Sequence, residues 1–133
     1  AGNLATLAMI ISLAFSTRNS IWTFLCGISY ERGLYWHKLL AYLSLLLSAY
    51  HAFVYHYAYP DKLKKSDHDD EYIRTPEEID NMVLTGWFMY GFMILIFITS
   101  IIYVRRYVFE LFYRLHWILF ILTIVAALLH ATN

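Results

Sequence analysis

Two apolar stretches decide the fold: HKLLAYLSLLLSAYH at residues 37–51 and HWILFILTIVAALLH at residues 116–130. Each begins and ends with a histidine, and the two histidines of a stretch are 14 residues apart. On an α-helix 14 residues turn through about 1,400°, within roughly 40° of four whole turns, so both histidines project from nearly the same face. They lie about 21 Å apart along the axis, inside a hydrocarbon core about 30 Å thick. Each stretch therefore predicts a membrane-spanning helix with one histidine toward each side of the bilayer.

The composition also indicates a membrane protein. Of the 133 residues, 60% are hydrophobic and 19% aromatic, and the mean hydropathy is +0.51, values beyond those of soluble domains. The single cysteine, Cys26, excludes a disulfide framework or a cysteine-ligated cluster within one chain. A net charge of zero argues against a nucleic-acid partner. Because residue 1 is alanine and no charged n-region precedes the first apolar run, we expect a fragment or processed chain without a secretory signal peptide.

Hydropathy divides residues 1–133 into four predicted spans and one loop, which together predict a single all-α domain, a polytopic membrane helix bundle. The predicted transmembrane helices are residues 4–28, 34–57, 84–104 and 109–131. Residues 58–83 form a 26-residue acidic extramembrane loop that holds eight of the ten carboxylates. Within it, Thr75, Pro76 and Glu78 match an N-cap, a first-turn proline and a capping box. We therefore expect a short helix to begin there and to lead into the third span.

Arg18 lies in the middle of the first predicted span, within a polar run at residues 16–20. A charged residue at mid-bilayer costs roughly 2.5–3.5 kcal/mol on insertion scales, so we expect Arg18 to face the bundle interior beside an anion. The alternative is a break between two shorter segments, with Arg18 in a loop.

The short links at residues 29–33 and 105–108 and their surroundings carry an excess of basic over acidic residues, which predicts that their side of the membrane is inside. Spans two and four then run in the same direction. The first histidine of one span therefore pairs with the first of the other, and the second with the second.

On this topology His37 and His116 form an inner pair, and His51 and His130 form an outer pair. Two stacked pairs provide the axial ligands of two bis-histidine haems, and the depth of Arg18 between them suits contact with haem propionates. The alternative is that these are ordinary buried histidines bonded to neighbouring helices. Zinc is disfavoured because no carboxylate or cysteine lies near either pair to complete a site.

Further motifs surround these histidines in a fixed order: RNS at residues 18–20, ERGLYWHK at 31–38, TG at 85–86 and YVRRYVFELFYRLH at 103–116. With this order, nearly the whole chain resembles the ferric-reductase-like transmembrane domain shared by ferric-chelate reductases and NADPH oxidases. The resemblance implies an oxidoreductase module with two haem b groups, ligated at the four histidine positions, and it places the arginine of the family at Arg18. It also implies that electrons pass from NADPH through FAD and the inner and outer haems to an external ferric or cupric chelate or to dioxygen.

The resemblance has consequences for partners and location. The four spans match the second to the fifth of six family spans, so FAD and NADPH are expected on a reductase domain or subunit outside this chain. Expected partners are membrane lipid, this flavin-containing electron donor, and an external metal chelate or dioxygen. The plasma membrane is favoured over the endoplasmic reticulum and the mitochondrial inner membrane.

One position departs from the pattern of some family oxidases, which have a histidine four residues after the outer ligand. Here that position is Tyr55, with His56 one residue further on, which favours metal reduction or plain electron transfer over oxygen reduction. His56 lies roughly 140° round the helix from His51 and is interpreted as an interfacial histidine. Other interpretations remain: a superoxide-producing oxidase core, a respiratory cytochrome b, and a haem-binding or purely structural membrane subunit of a larger complex.

Overall fold

The computed structural model describes residues 2–17, 21–58 and 75–132, and the regular structure in this part of the chain is helical. The helices are α1 (Gly2–Ser16), α2 (Ile21–Cys26), α3 (Tyr30–Phe53) with a π-helical turn after it (Val54–Ala58), α4 (Pro76–Thr99), α5 (Ile102–Tyr107) and α6 (Phe109–Thr132). Within these described ranges, three segments are long and apolar enough to cross a membrane: Tyr30–Tyr57, Pro76–Thr99 and Phe109–Thr132. The predicted all-α, polytopic membrane bundle is confirmed.

The first predicted span differs from the expected single helix. Over residues 4–28 the described residues form two helices, the shorter apolar helix α1 and the six-residue α2. Near the end of α1, the hydroxyls of Ser16 and Thr17 donate to the carbonyl oxygens of Leu13 and Ala14, at 2.7 and 3.3 Å. Such bonds offer the backbone an alternative to further helix. Arg18 lies outside the described residues, so its place beside an anion stays a prediction.

The chain forms two compact units, Ala1–Phe53 and Val54–Asn133. In the first unit α1 and α3 pack together and run antiparallel. Gly33, in the first turn of α3, lies against the carbonyl oxygen of Phe15, close enough that a Cβ on Gly33 would be 3.0 Å from it. Further along α3, the Ser44 hydroxyl donates to the carbonyl oxygen of Ala5 at 2.8 Å. Small residues at these contacts let the two backbones approach closely.

In the second unit α4 begins at the predicted cap. The Thr75 side chain accepts the Glu78 N–H at 3.3 Å, and the Thr75 N–H donates to the Glu78 carboxylate at 2.7 Å. This is the expected capping box, with Pro76 at the start of the helix. The helix that begins there is continuous with the third span, so the predicted short helix and the span are one element.

The predicted third span, residues 84–104, is interrupted near its end. The Ser100 hydroxyl donates to the Ile96 carbonyl oxygen at 2.6 Å, and the Thr99 hydroxyl donates to the Leu95 carbonyl oxygen at 2.9 Å. Ile101 is extended, with φ −58° and ψ 143°, and α5 begins at the next residue. Both α4 and α5 pack against α6.

Buried positions within these helix pairs are occupied by small residues. The buried side chains on α3 and α6 are glycine, serine, threonine and alanine, whereas large apolar side chains such as Leu46 and Leu128 are 68% and 63% exposed. Small residues inside and large apolar residues outside are typical of helices packed within a bilayer.

Candidate functional site

His37 lies on the face of α3 that packs against α1, where Ser12 holds one ring nitrogen. Its Nδ1 is 2.9 Å from the Ser12 carbonyl oxygen, and because a carbonyl only accepts hydrogen bonds, Nδ1 carries the proton and donates. The Ser12 hydroxyl lies 3.0 Å from the same nitrogen and donates its own proton to the His37 carbonyl oxygen at 2.9 Å. In the neutral ring the lone pair therefore belongs to Nε2.

His130 on α6 is held in the same way by α4. Its Nδ1 donates to the Met82 carbonyl oxygen at 2.9 Å and lies 3.4 Å from the Thr85 hydroxyl oxygen. The Thr85 hydroxyl donates to the Asn81 carbonyl oxygen at 2.9 Å, so it is available to His130 as an acceptor. The lone pair of the neutral His130 ring is again on Nε2.

His116 has a serine partner. Its Nδ1 lies 3.2 Å from the Ser100 hydroxyl oxygen. The hydroxyl proton of Ser100 is directed to the Ile96 carbonyl oxygen at 2.6 Å, so the oxygen offers His116 a lone pair and Nδ1 donates. The Phe112 ring lies beside the imidazole, with the ring centroids 5.3 Å apart.

The two histidines nearer the C-terminal ends of α3 and α6 share a further feature, a glycine against the ring. A Cβ on Gly2 would be 3.2 Å from Cε1 and 3.3 Å from Nδ1 of His51. A Cβ on Gly86 would be at the same two distances from Cε1 and Nδ1 of His130. In both places only glycine leaves the ring this close to the backbone of the neighbouring helix.

The family to which this chain belongs follows from its match to a known family model. The family model for the ferric reductase like transmembrane component matches residues 1–127. The chain belongs to this family. Neither the comparison with curated proteins nor the comparison with solved structures gives a match.

Family membership confirms the predicted resemblance and indicates an integral membrane oxidoreductase module for transmembrane electron transfer that works with a redox partner domain. An imidazole that donates its Nδ1–H has its free lone pair on Nε2, where a metal can bind. Metal-bound histidines almost always donate the N–H of the other ring nitrogen to a nearby acceptor.

Some predicted site residues are not brought together by the described geometry. His37 and His51 lie in the first unit, and His116 and His130 lie in the second, so the pairing of inner with inner and outer with outer stays a prediction. Among the described residues no group of three or more His, Cys, Asp or Glu side chains forms a metal site. A haem brings its own equatorial nitrogens, so two histidines suffice to complete its coordination.

Two of the buried hydroxyl residues lie midway between the histidines of a helix, and the sequence analysis did not single them out. Ser44 lies seven residues from both His37 and His51, and Thr123 lies seven residues from both His116 and His130. Seven residues turn through about 700°, so each hydroxyl shares the histidine face of its helix. Ser44 is 2% exposed and Thr123 is 1% exposed, which shows that these faces are packed. The signal was present in the sequence as a histidine, hydroxyl, histidine repeat with equal spacing.

His56 lies elsewhere. It is exposed on the π-helical turn after α3, and its ring centroid is 6.2 Å from that of Trp87 on α4. An exposed imidazole against a tryptophan fits the predicted interfacial position better than a buried ligand position.

Proposed function

We propose that the protein carries electrons across a membrane through two b-type haems, each held by two histidines. His37 and His116 would hold the inner haem, and His51 and His130 would hold the outer haem. The observation that carries the proposal is the hydrogen bonding of Nδ1 in His37, His116 and His130, which assigns the lone pair to Nε2 in each neutral ring. When bound, each haem would supply an iron that accepts and releases one electron, which is the chemistry that outer-sphere transfer needs.

The residues of the chain have separate tasks in this function. The four histidines would bind the irons of the two haems. Ser12, Ser100 and the Met82 carbonyl fix the ring tautomers, and Gly2 and Gly86 leave room for the rings of the outer pair. The long apolar faces exclude water and keep the path insulated from solvent.

The same proposal covers the donor, the acceptor and the membrane. Electrons would come from NADPH through FAD on a flavin-containing reductase domain or subunit, and Arg18 would lie beside the haem propionates. The final acceptor would be a ferric or cupric chelate, because Tyr55 stands where some family oxidases have a histidine. The plasma membrane is the favoured location.

The proposal is tested by a reduced-minus-oxidised optical spectrum of the purified full-length protein, with the number of haems per chain measured as pyridine haemochrome. We expect a b-type spectrum and two haems. His51→Ala should lose the outer haem and transmembrane transfer, whereas His56→Ala, a matched histidine outside the four, should keep both haems. Retention of two haems in His51→Ala would overturn the assignment, and a folded wild type without haem would favour a structural subunit.

A further inference from the structure

The Ser100 hydroxyl lies 3.2 Å from Nδ1 of His116, one of the proposed haem ligands, on the side of the ring opposite to Nε2. We propose that Ser100 holds His116 in its Nδ1-protonated tautomer and thereby lowers the reduction potential of the inner haem. Ser100 is thus a positioning residue. The inference rests on the proposed function, because it assumes that His116 is an axial ligand.

Ser100 lies at the break between α4 and α5. Ser100 is the last residue before the extended Ile101, and its own N–H bonds back to the carbonyl oxygens of Ile96 and Phe97 at 3.0 and 3.1 Å. Its Oγ donates to Ile96 at 2.6 Å and lies 3.2 Å from His116 Nδ1. A hydroxyl has one proton and two lone pairs. With the proton directed along the helix, the side of the oxygen that faces His116 can only accept.

The electronic consequence has a definite sign. A histidine that donates its Nδ1 proton to an acceptor becomes a more basic ligand at Nε2. A more basic axial ligand stabilises the ferric form over the ferrous form, so the reduction potential falls; hydrogen bonding around the ligands is one of the means by which proteins set haem potentials. A lower inner potential adds to the driving force for electrons that move from the inner haem to the outer one.

Ser100 differs from the acceptors of the other histidines. The Nδ1 of His130 is held by the Met82 carbonyl, and the Nδ1 of His37 is held by both the carbonyl and the hydroxyl of Ser12. Side-chain mutation leaves a backbone carbonyl in place, whereas Ser100→Ala removes the hydroxyl that lies 3.2 Å from His116 Nδ1. We therefore expect a graded series in which Ser100→Ala has a larger effect than Ser12→Ala.

The experiment is an optical redox titration of the full-length protein as wild type, Ser100→Ala, Ser100→Thr and Ser12→Ala. Ser100→Ala should raise the potential of one haem and leave the other unchanged, with a smaller rise in Ser12→Ala. For a one-electron couple a tenfold change in the equilibrium between the two oxidation states is about 59 mV. Ser100→Thr keeps the hydroxyl and should restore the wild-type value. Haem affinity should fall in Ser100→Ala, by roughly 10- to 100-fold as for other residues that orient a metal ligand.

Thr99→Val is the matched control for loss of a hydroxyl at the end of α4. The Thr99 hydroxyl donates to the Leu95 and Ile96 carbonyl oxygens at 2.9 and 3.0 Å, so this variant removes a neighbouring hydroxyl bonded to the helix backbone. Its potentials should match the wild type. Circular dichroism of every variant shows whether it is folded.

A second readout separates the inference from the proposed function. Nitrogen NMR of ¹⁵N-histidine-labelled haem-free protein reports which ring nitrogen of His116 is protonated, with assignment by His116→Gln. We expect Nδ1 protonation in the wild type and a mixture of tautomers in Ser100→Ala. If the wild type binds two haems and Ser100→Ala changes neither the potential nor the tautomer, the inference about Ser100 fails and the proposed function stands. If the wild type binds no haem, the proposed function fails, and the NMR experiment still decides whether Ser100 sets the tautomer.

Discussion

Gly86 lies against the His130 ring, so a substitution there can move the ring without weakening α4. In Gly86→Ala the new Cβ would be 3.2 Å from Cε1 and 3.3 Å from Nδ1 of the ring. Carbon atoms pack best at about 3.5–4.0 Å, so the ring must move by about 0.3 Å or more. That movement is directed away from α4 and therefore lengthens the bond of 2.9 Å from Nδ1 to the Met82 carbonyl.

Two free-energy terms oppose each other in this variant. Replacing glycine by alanine inside a helix stabilises it by about 0.5–1 kcal/mol. Weakening one hydrogen bond costs about 0.5–1.5 kcal/mol. We therefore expect the thermal unfolding midpoint of haem-free Gly86→Ala to stay near that of the wild type, while the affinity of the outer site for haem falls by about tenfold, as for other changes around a ligand.

The control is on the same helix. A Cβ on Gly91 would meet nothing within 4 Å, so Gly91→Ala gains the helix stabilisation and leaves the ring in place. The assay is haem titration of haem-free protein in detergent or nanodiscs, followed by the optical spectrum and thermal unfolding. Equal haem affinities in Gly86→Ala, Gly91→Ala and the wild type would refute the reasoning that the glycine sets the position of the ring.

Three further predictions concern the scaffold and the site. Thr75→Ala removes the capping box and should destabilise the start of α4 by about 1 kcal/mol, measured as a lower unfolding midpoint and faster amide exchange over its first turn. Ser44→Leu forces a large side chain into the contact between α1 and α3 and should cost about 1–3 kcal/mol of stability; an unchanged unfolding midpoint would contradict the tight packing described for that face. Arg18→Gln should shift the haem potentials if the arginine lies beside propionates, and unchanged potentials would remove it from the site.

Much of the fold could be predicted because its determinants are local. The lengths of the apolar runs predict spanning helices, and the residues around Thr75 predict the start of α4 from backbone groups only three residues apart. The break after Ser16 was predicted only as the alternative to a single span, from the polar run at residues 16–20, and the break at Ser100 was not predicted. Neither contains proline or glycine, and serines at positions such as Ser44 sit inside an unbroken helix, so the residue type alone does not signal a break.

For the candidate site, the sequence predicts which face of each helix carries the histidines. Equal spacing places His37 and His51 on one side of α3, and the burial of Ser44 between them agrees with that face being packed. The partners of the rings were not predictable, because Ser12 and Ser100 reach their histidines only through the register of antiparallel helices. That register depends on tertiary packing, and the spacing of residues within one helix does not predict it.

Each unit holds its own histidines: α1 fixes the ring of His37, and α4 fixes the ring of His130. An imidazole that is already oriented has lost its rotational freedom when its own helix pair forms, so that entropy is not lost again when a cofactor is captured. During biosynthesis the first helix pair can insert and orient the His37 ring before the second pair has left the ribosome. On the proposed function, capture of a haem would then be a late step of maturation, in which each helix pair presents a histidine ring that is already oriented.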